Sequence, residues 1–349
     1  MYNLNDKIRN LVPYEPVSGN FKIRLDANES CFNLPDDMMR KIKEKIASVD
    51  FNRYPDPMAA GVCDAFADYY GIDADNVTAG NGSDELISII MQAFMMKGET
   101  LLTIEPDFSM YSFYGALSEV NCCAVKKNDD YTVNIDSVID AVNAKKARAV
   151  IFSNPCNPTS LGVQREDIIR LISSVDSLVI LDEAYMDFWE ESLLDRVNDF
   201  DNLIILRTAS KAVGAAAIRL GFAVSNRVNT KAFRAVKSPY NVNTMTQEIG
   251  TLIYSDTKYL KNVRKTIVTL RKSLYNDLKA LACQYPDKLS MVNGCCNFIY
   301  IKSNVSEDVF KYLLSHGVAI RFMGEYLRIS TGTQQENSEL IQLLKEYFK

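Results

Sequence analysis

Arg207-Thr208-Ala209-Ser210-Lys211-Ala212-Val213-Gly214-Ala215-Ala216-Ala217-Ile218-Arg219-Leu220-Gly221-Phe222 is the stretch on which the reading of this chain turns. It follows an apolar run at 203–206 that reads as a buried strand. A lysine just beyond such a strand, with Ser210 before it and Arg219 two helical turns further on, is hard to account for by packing. Burying its charge is costly unless its pKa falls or a partner is found. The same fall makes the amine a nucleophile towards aldehydes, so a half-buried lysine can form a Schiff base. Ser210 and Arg219 offer a hydroxyl and a guanidinium to an anion nearby. Lysine, aldehyde and phosphate together describe pyridoxal phosphate. A single Ser-Lys pair alone is better read as a surface lysine on a helix; the rest of the chain reverses that balance.

Outward from this stretch, strand-like runs alternate with helical ones. Residues 101–104, 122–125, 149–152, 178–181, 203–206 and 222–224 read as strands, and 135–142 and 166–172 carry helical periodicity between them. Strands apolar on both faces, alternating with helices, indicate an α/β fold with a mostly parallel central sheet covered by helices. Ligands in such sheets sit outside the carboxyl ends of the strands. The polar candidates fall at those ends. Pro106-Asp107-Phe108-Ser109-Met110-Tyr111 follows the first strand and Asn154-Pro155-Cys156-Asn157-Pro158-Thr159 the third. Asp182-Glu183-Ala184-Tyr185 follows the fourth, and Ser210-Lys211 the fifth. Upstream, Gly80-Asn81-Gly82-Ser83-Asp84-Glu85 opens a helix with Leu86, Ile87, Ile90, Met91 and Phe94 at helical spacing. Glycines let the backbone approach a ligand, and free N–H groups at a helix start favour an anion, so this segment fits a phosphate cradle as well as a plain turn and cap. It is not the dinucleotide fingerprint.

Composition excludes other classes. The chain has 349 residues, 47% hydrophobic and 24% charged, with a net charge of −5. No basic block stands out, which argues against a nucleic-acid partner. The eight cysteines include the adjacent pairs Cys122-Cys123 and Cys295-Cys296 but no Cys-x-x-Cys, so free thiols in a reducing cytosol are expected rather than a disulfide framework. No zinc spacing appears and no metal is expected. His316 is the only histidine, in Leu314-Ser315-His316-Gly317, and reads as a helix-end residue rather than a catalytic one. Residues 1–10 are polar and no apolar run is long enough to span a bilayer, so a cytoplasmic location without membrane contact is expected.

Three units are expected. Residues 1–30 read as an N-terminal arm, 31–243 as the large sheet domain, and 244–349 as a smaller α+β domain. In the arm, 11–16 is turn-rich and 23–30 carries a short extended piece. Pro35-Asp36-Asp37 opens an amphipathic helix with Met38, Met39, Ile42 and Ile46 on one face. Arg53-Tyr54-Pro55-Asp56-Pro57 is a rigid bend, and within it Tyr54 reads by itself as loop decoration. Residues 251–285 lack Gly and Pro and read as one long amphipathic helix. Strands at 297–301, 318–321 and 326–329 and helices at about 307–315 and 336–347 complete the small domain.

Asp182 ends an apolar strand, where an acid is either a cap or a ligand. Beside a pyridine nitrogen, an ionised aspartate keeps that nitrogen protonated and the ring becomes an electron sink. Tyr185 and Asn157 are placed to reach the phenolic oxygen of the same ring, and Phe108 or Tyr111 offers a face to stack on it. A cap, a turn residue and core aromatics are the alternatives for each one separately. None of those explains why all of them land on one edge of one sheet.

Together these residues resemble the histidinol-phosphate aminotransferase family, within the fold-type-I pyridoxal-phosphate aminotransferases. The resemblance runs from Leu11-Val12-Pro13-Tyr14 to the final strands. It rests on Asp26-Ala27-Asn28-Glu29, on 53–57, 80–87 and 154–159, on Asp182-Glu183-Ala184-Tyr185, on Ser210-Lys211-Ala212 and on Pro239-Tyr240-Asn241-Val242-Asn243. The spacing of Lys211 and Arg219 matches as well. The resemblance implies pyridoxal 5'-phosphate as cofactor, with Lys211 as the Schiff-base and proton-transfer residue. It implies that Asp182 holds the pyridine nitrogen, Asn157 and Tyr185 the phenolic oxygen, and Phe108 the ring face. The cofactor phosphate would sit on the Ser83 and Asp84 amides with Ser210 and Arg219. In the family, the tyrosine matching Tyr54 reaches that phosphate from the neighbouring subunit, which implies a homodimer. Arg328 matches the arginine that binds a substrate carboxylate or phosphate, and Tyr14, Asn28 and Arg321 are further expected substrate contacts.

The implied activity is transamination between histidinol phosphate and 2-oxoglutarate. A threonine-phosphate decarboxylase, or an aminotransferase for an aromatic or other amino acid, keeps the cofactor and changes the bond broken or the donor. A cofactor-binding regulator is disfavoured because no basic recognition helix is present. The chain departs from the family pattern at Cys156 and Ser160, where asparagine and glycine are usual. It also departs at Phe108, usually tyrosine, at 215–218, and in the short loop between Arg321 and Arg328.

Overall fold

The structure, a computed structural model, describes residues 2–9, 11–13 and 15–349, so Tyr14 lies outside the described residues. Its first strand is β1 (Ile23–Leu25). A seven-stranded sheet follows, built from β2 (Val77–Asn81), β3 (Thr100–Glu105), β4 (Asn121–Lys126), β5 (Ala149–Ser153), β6 (Leu178–Asp182), β7 (Leu203–Thr208) and β8 (Leu220–Ser225), in the order β2-β8-β7-β6-β5-β3-β4. Only β8 runs against the others; it pairs antiparallel with both β2 and β7, while the remaining pairs are parallel. The carboxyl ends of β2, β3, β5, β6 and β7 therefore share one edge, and β8 begins there.

The two-fold alternation of side chains along a strand splits this sheet into two buried faces. Leu102, Ile104, Val150, Phe152, Val179, Leu181, Leu203, Ile205, Phe222 and Val224 face one layer of helices, which includes Ala60–Tyr70, Ile135–Lys145 and Arg165–Ser174. Leu101, Ala149, Ile151, Ile180, Ile204, Leu206 and Ala223 face the other, which holds Gly82–Ala93, Met110–Leu117 and Arg227–Val236. Every residue of β5 and β7 is buried, as expected of strands read as apolar on both sides. Arg207, at the head of the decisive stretch, is also buried. It pairs with Glu183 at 3.0 Å and Asp187 at 3.1 Å and lies over the ring of Tyr70, so it braces the turn after β6 from within the fold.

A second sheet joins β1 to β9 (Leu289–Met291), β10 (Phe298–Ser303), β11 (Val318–Met323) and β12 (Tyr326–Ser330), in the order β1-β11-β12-β10-β9. One face carries Ile299, Ile301, Ile320, Leu327 and Ile329 against the helices Thr257–Gln284, Ser306–Ser315 and Gln334–Tyr347. By the same alternation the other face presents Phe298, Tyr300, Arg321, Tyr326, Arg328 and Ser330. Part of the expected arm belongs to this sheet. Ile23 and Leu25 are buried in its core and β1 pairs parallel with β11, which gives the strand backbone partners and an apolar face that sequence adjacency does not reveal.

The expected helix at 251–285 is two helices, Thr244–Ser255 and Thr257–Gln284, parted at Asp256. The Asp256 carboxylate accepts from the Tyr259 N–H at 2.9 Å and caps a new helix start. Thr244–Ser255 packs on the large-sheet side, where Ile253 and Tyr254 join the core with Val62 and Phe66. His316 follows the helix Ser306–Ser315 and its ring nitrogen bonds the Tyr312 carbonyl, as a helix-end residue should. Among the described residues, no helix is long and apolar enough to cross a membrane.

Candidate active site

The anion cradle forms where β2 turns into the helix Gly82–Ala93. Gly82 has φ of +79°, and Gly221 on β8 faces it so closely that an added Cβ would lie 2.5 Å from the Ser83 nitrogen. Only glycine permits that approach. The Ser83 and Asp84 N–H groups belong to the first turn, where helix amides have no partner within the helix and attract an anion. Arg219, itself at φ +50°, puts Nη1 3.4 Å from Ser210 Oγ and Nη2 3.5 Å from Asp84 Oδ2. Thr208 adds a hydroxyl 3.1 Å from that of Ser210. The expected phosphate ligands Ser83, Asp84, Ser210 and Arg219 thus converge. The glycine-lined cradle they form fits a phosphate.

Asp182 closes β6 and is buried. Its Oδ2 accepts from the Tyr111 hydroxyl at 2.8 Å and its Oδ1 from the Ala184 N–H at 3.0 Å. Burial pushes its carboxyl up to about 7, against the pull of those two donors. A cationic pyridinium N–H would supply the charge partner this carboxyl otherwise lacks. Tyr111 therefore orients Asp182 rather than offering a stacking face. Phe108 meets it edge-on at 5.6 Å, half-buried, and is left as the available ring face.

Three residues that sequence reasoning passed over hold the Asn157 loop. The Ser153 hydroxyl donates to Asp107 and accepts the Asn157 N–H at 3.0 Å, while Asp107 also accepts the Ser153 N–H at 3.0 Å. Burial pushes the Asp107 carboxyl up to about 6. The signal was present, since Asp107 and Ser153 stand at adjacent strand ends. Lys127, just past β4, is the third, with Nζ 2.8 Å from the Pro106 carbonyl and 2.8 Å from Cys156 Sγ. A second departure from the family pattern in this loop, Ser160, has φ of +64° and is also tied down. Its carbonyl accepts the Cys295 N–H at 2.7 Å and its hydroxyl the Cys296 N–H at 2.8 Å, so the loop is anchored on the small domain.

Asn157 Oδ1 accepts from Arg328 Nη1 at 2.6 Å, which leaves its amide N–H groups to donate elsewhere. The Tyr185 hydroxyl accepts from Asn28 Nδ2 at 2.9 Å, so its own proton is likewise available. Burial pushes the Tyr185 phenol well up, keeping it a neutral donor. Asn28 is fixed in turn by Ser330, which takes its N–H at 2.9 Å and donates to its Oδ1 at 3.2 Å. Ser330 lies two residues beyond Arg328 on one face of β12. Lys211, half-buried just past β7, donates from Nζ to the Ala27 carbonyl at 3.0 Å. Burial, then the charges of Arg328 and Arg219, push its amine down to about 8, against the opposing pull of Glu29 and Asp84.

Arg328 also donates to the Asp26 carbonyl at 2.9 Å and lies over the Phe298 ring; Arg321 is its partner across the β11–β12 pair. The expected site residue that the structure leaves on the open surface is Tyr54, 80% exposed and stacked on Tyr240 at 4.6 Å. Among the described residues, no group of three or more His, Cys, Asp and Glu side chains is arranged to hold a metal.

The family model for aminotransferase class I and II matches residues 21–344. A histidinol-phosphate aminotransferase of Clostridium kluyveri is 39% identical over 347 residues, covering 98% of this chain and 97% of that protein. One from Pyrococcus furiosus is 32% identical, covering 99% and 98%. Among solved structures, histidinol-phosphate aminotransferase from Sinorhizobium meliloti in complex with pyridoxal-5'-phosphate superposes with a TM-score of 0.88 at 22% identity, covering 99% of each chain. L-threonine-O-3-phosphate decarboxylase from Porphyromonas gingivalis does so at 0.76 and 21% identity, covering 93% of this chain and 99% of that one; at such identities both likenesses speak for the fold alone. The full-length match to relatives of this identity settles membership: the chain belongs to the class I and II aminotransferases, in the histidinol-phosphate aminotransferase family.

Proposed function

We propose that the chain is a pyridoxal-phosphate-dependent histidinol-phosphate transaminase, moving the amino group of histidinol phosphate to 2-oxoglutarate to give imidazole acetol phosphate and glutamate. The observation that carries this reading is Lys211, its amine pushed down to about 8, at the edge where Asp182, Asn157, Tyr185 and the glycine-lined anion cradle converge. When bound, the cofactor supplies an aldehyde for the lysine and a ring that withdraws electrons from the substrate Cα. The chain's own residues do the rest. Ser83, Asp84, Ser210 and Arg219 hold the phosphate. Asp182, steadied by Tyr111, keeps its charge at the ring nitrogen. Asn157 and Tyr185 donate to the phenolic oxygen, and Phe108 covers the ring. Lys211 Nζ, its amine pushed down to about 8 by burial, would take the proton from the substrate Cα and hold it for return. Arg328, with Arg321 beside it on the sheet, binds the phosphate of the donor and a carboxylate of the acceptor in turn; Asn28 orients Tyr185.

The same reading makes the chain a cytoplasmic homodimer, with Tyr54 reaching the neighbouring cradle. Tyr54 and Tyr240, stacked on each other and both exposed, leave apolar surface there, with Phe51 and Met58 exposed close by in the sequence, which supports the dimer. The test of the activity is spectroscopic. The cofactor-loaded protein mixed with histidinol phosphate alone should lose its visible band, and 2-oxoglutarate should restore it. No change with this donor, accompanied by carbon dioxide release from threonine phosphate, would replace transamination with decarboxylation.

A further inference from the structure

The mechanism leaves unused a cluster of three tyrosines beside Arg328. Tyr131 sits in the turn after β4, on the large-sheet side. Its hydroxyl bonds that of Tyr326 on β12 at 2.6 Å, across 195 residues of sequence. Tyr326 stacks on Tyr300 of β10 with centroids 4.8 Å apart and planes 7° from parallel. Tyr131 meets both rings edge-on, at 6.2 Å and 5.8 Å. Tyr326 is two residues from Arg328 on the same face of β12, and Tyr300 is the residue directly across from Arg328 in the β10–β12 pair.

The turn that carries Tyr131 is built to be stiff. Asn128 N–H donates to the Thr132 carbonyl at 2.9 Å, Tyr131 N–H to the Asn128 carbonyl at 2.8 Å, and the Asn128 and Thr132 side chains bond each other at 2.8 Å. Tyr131 has φ of +65°, a conformation in which glycine or asparagine is cheaper, so the fold spends strain there to place this ring. At the base of the turn, Lys127 grips Cys156, the neighbour of Asn157, and Asn157 accepts from Arg328. Arg328, Asn157, Cys156, Lys127, Tyr131 and Tyr326 therefore close a ring of contacts that spans both sheets.

We propose that Tyr131 is a positioning residue for Arg328, tying the strand that carries this arginine to the loop that carries Asn157. The proposal rests on Arg328 as the substrate-anion ligand. When an anion draws the guanidinium into new bonds, the Tyr131–Tyr326 tie keeps β12 in place, so the arginine swings without its strand drifting. The tie acts on binding rather than on proton transfer at Lys211.

Tyr131→Phe removes the bond and keeps the ring. On the basis of one neutral hydrogen bond, KM for both amino donor and 2-oxo acid should rise roughly fivefold with kcat within about twofold. In an Arg328→Gln background the same change should move KM less than about twofold, because the residue it positions is gone. Equal effects in both backgrounds, or a loss of kcat at unchanged KM, would overturn the proposal. Binding of inorganic phosphate and of glutarate to the cofactor-loaded proteins is measured alongside, so the tie can be judged even if histidinol phosphate proves not to be the donor. Tyr131→Phe should weaken whichever anion the parent protein binds by roughly fivefold. An unchanged dissociation constant, or no binding of either anion by the parent protein, would also overturn it.

Discussion

Asp182→Asn is expected to stabilise the cofactor-free protein at pH 8 and to leave its stability nearly unchanged at pH 5. Burial pushes the folded-state carboxyl from the ordinary 3.8 up to about 7, so the folded protein holds a proton that the unfolded chain has already released. Between those values stability falls as pH rises, because unfolding frees the proton. Carried through, the buried carboxylate costs ~4 kcal/mol at pH 8, of which ~2.5 kcal/mol accrues above pH 5. The substituted amide still accepts from Tyr111, but turning its NH2 group towards the Ala184 N–H costs about 1–2 kcal/mol at every pH. The advantage of the variant over the parent should therefore grow by ~2.5 kcal/mol from pH 5 to pH 8. Urea denaturation of both cofactor-free proteins at the two pH values measures it. A difference that stays constant with pH would refute the reasoning, since it would mean that Asp182 does not titrate across this window. Loading the cofactor should reverse the order at pH 8, because a pyridinium N–H gives the parent carboxylate the partner the amide cannot replace.

Three further outcomes follow from the site. Lys211→Ala should abolish turnover, and borohydride should no longer fix the cofactor to the chain; residual activity near the parent level would remove the lysine from the mechanism. Gly221→Ala drives a Cβ to within 2.5 Å of the Ser83 nitrogen, so cofactor affinity should fall at least about tenfold while the fold persists, as equilibrium dialysis would measure. Cofactor uptake by the stripped protein should speed up as pH rises towards about 8, where Lys211 loses its proton and becomes nucleophilic, and level off above it; a rate still climbing steeply from pH 8 to 10 would contradict the lowered pKa.

The large sheet and its chemistry were legible in the order of the residues. Continuous apolar runs such as 149–152 and 203–206 can be buried only between two layers of helices, and the polar motifs that follow them must then share one edge. That local logic placed Lys211, Asp182, Asn157 and Tyr185 together and, with the family's motifs, named the cofactor. Contacts between segments distant in the chain have no local period to announce them and emerged only with the fold. Asp256 splits the long helix through a side-chain cap. Ile23 and Leu25 find their core in a sheet formed some 300 residues later, beside Val318 and Ile320. Tyr111 reads as a stacking aromatic until Asp182 is seen to accept its hydroxyl. Tyr131, in a polar turn with no motif around it, gains its meaning from Tyr326, because a hydrogen bond across 195 residues depends on how two sheets pack and leaves no spacing in the sequence. Periodicity reports which face of an element is buried; it does not report what the buried or polar face will meet.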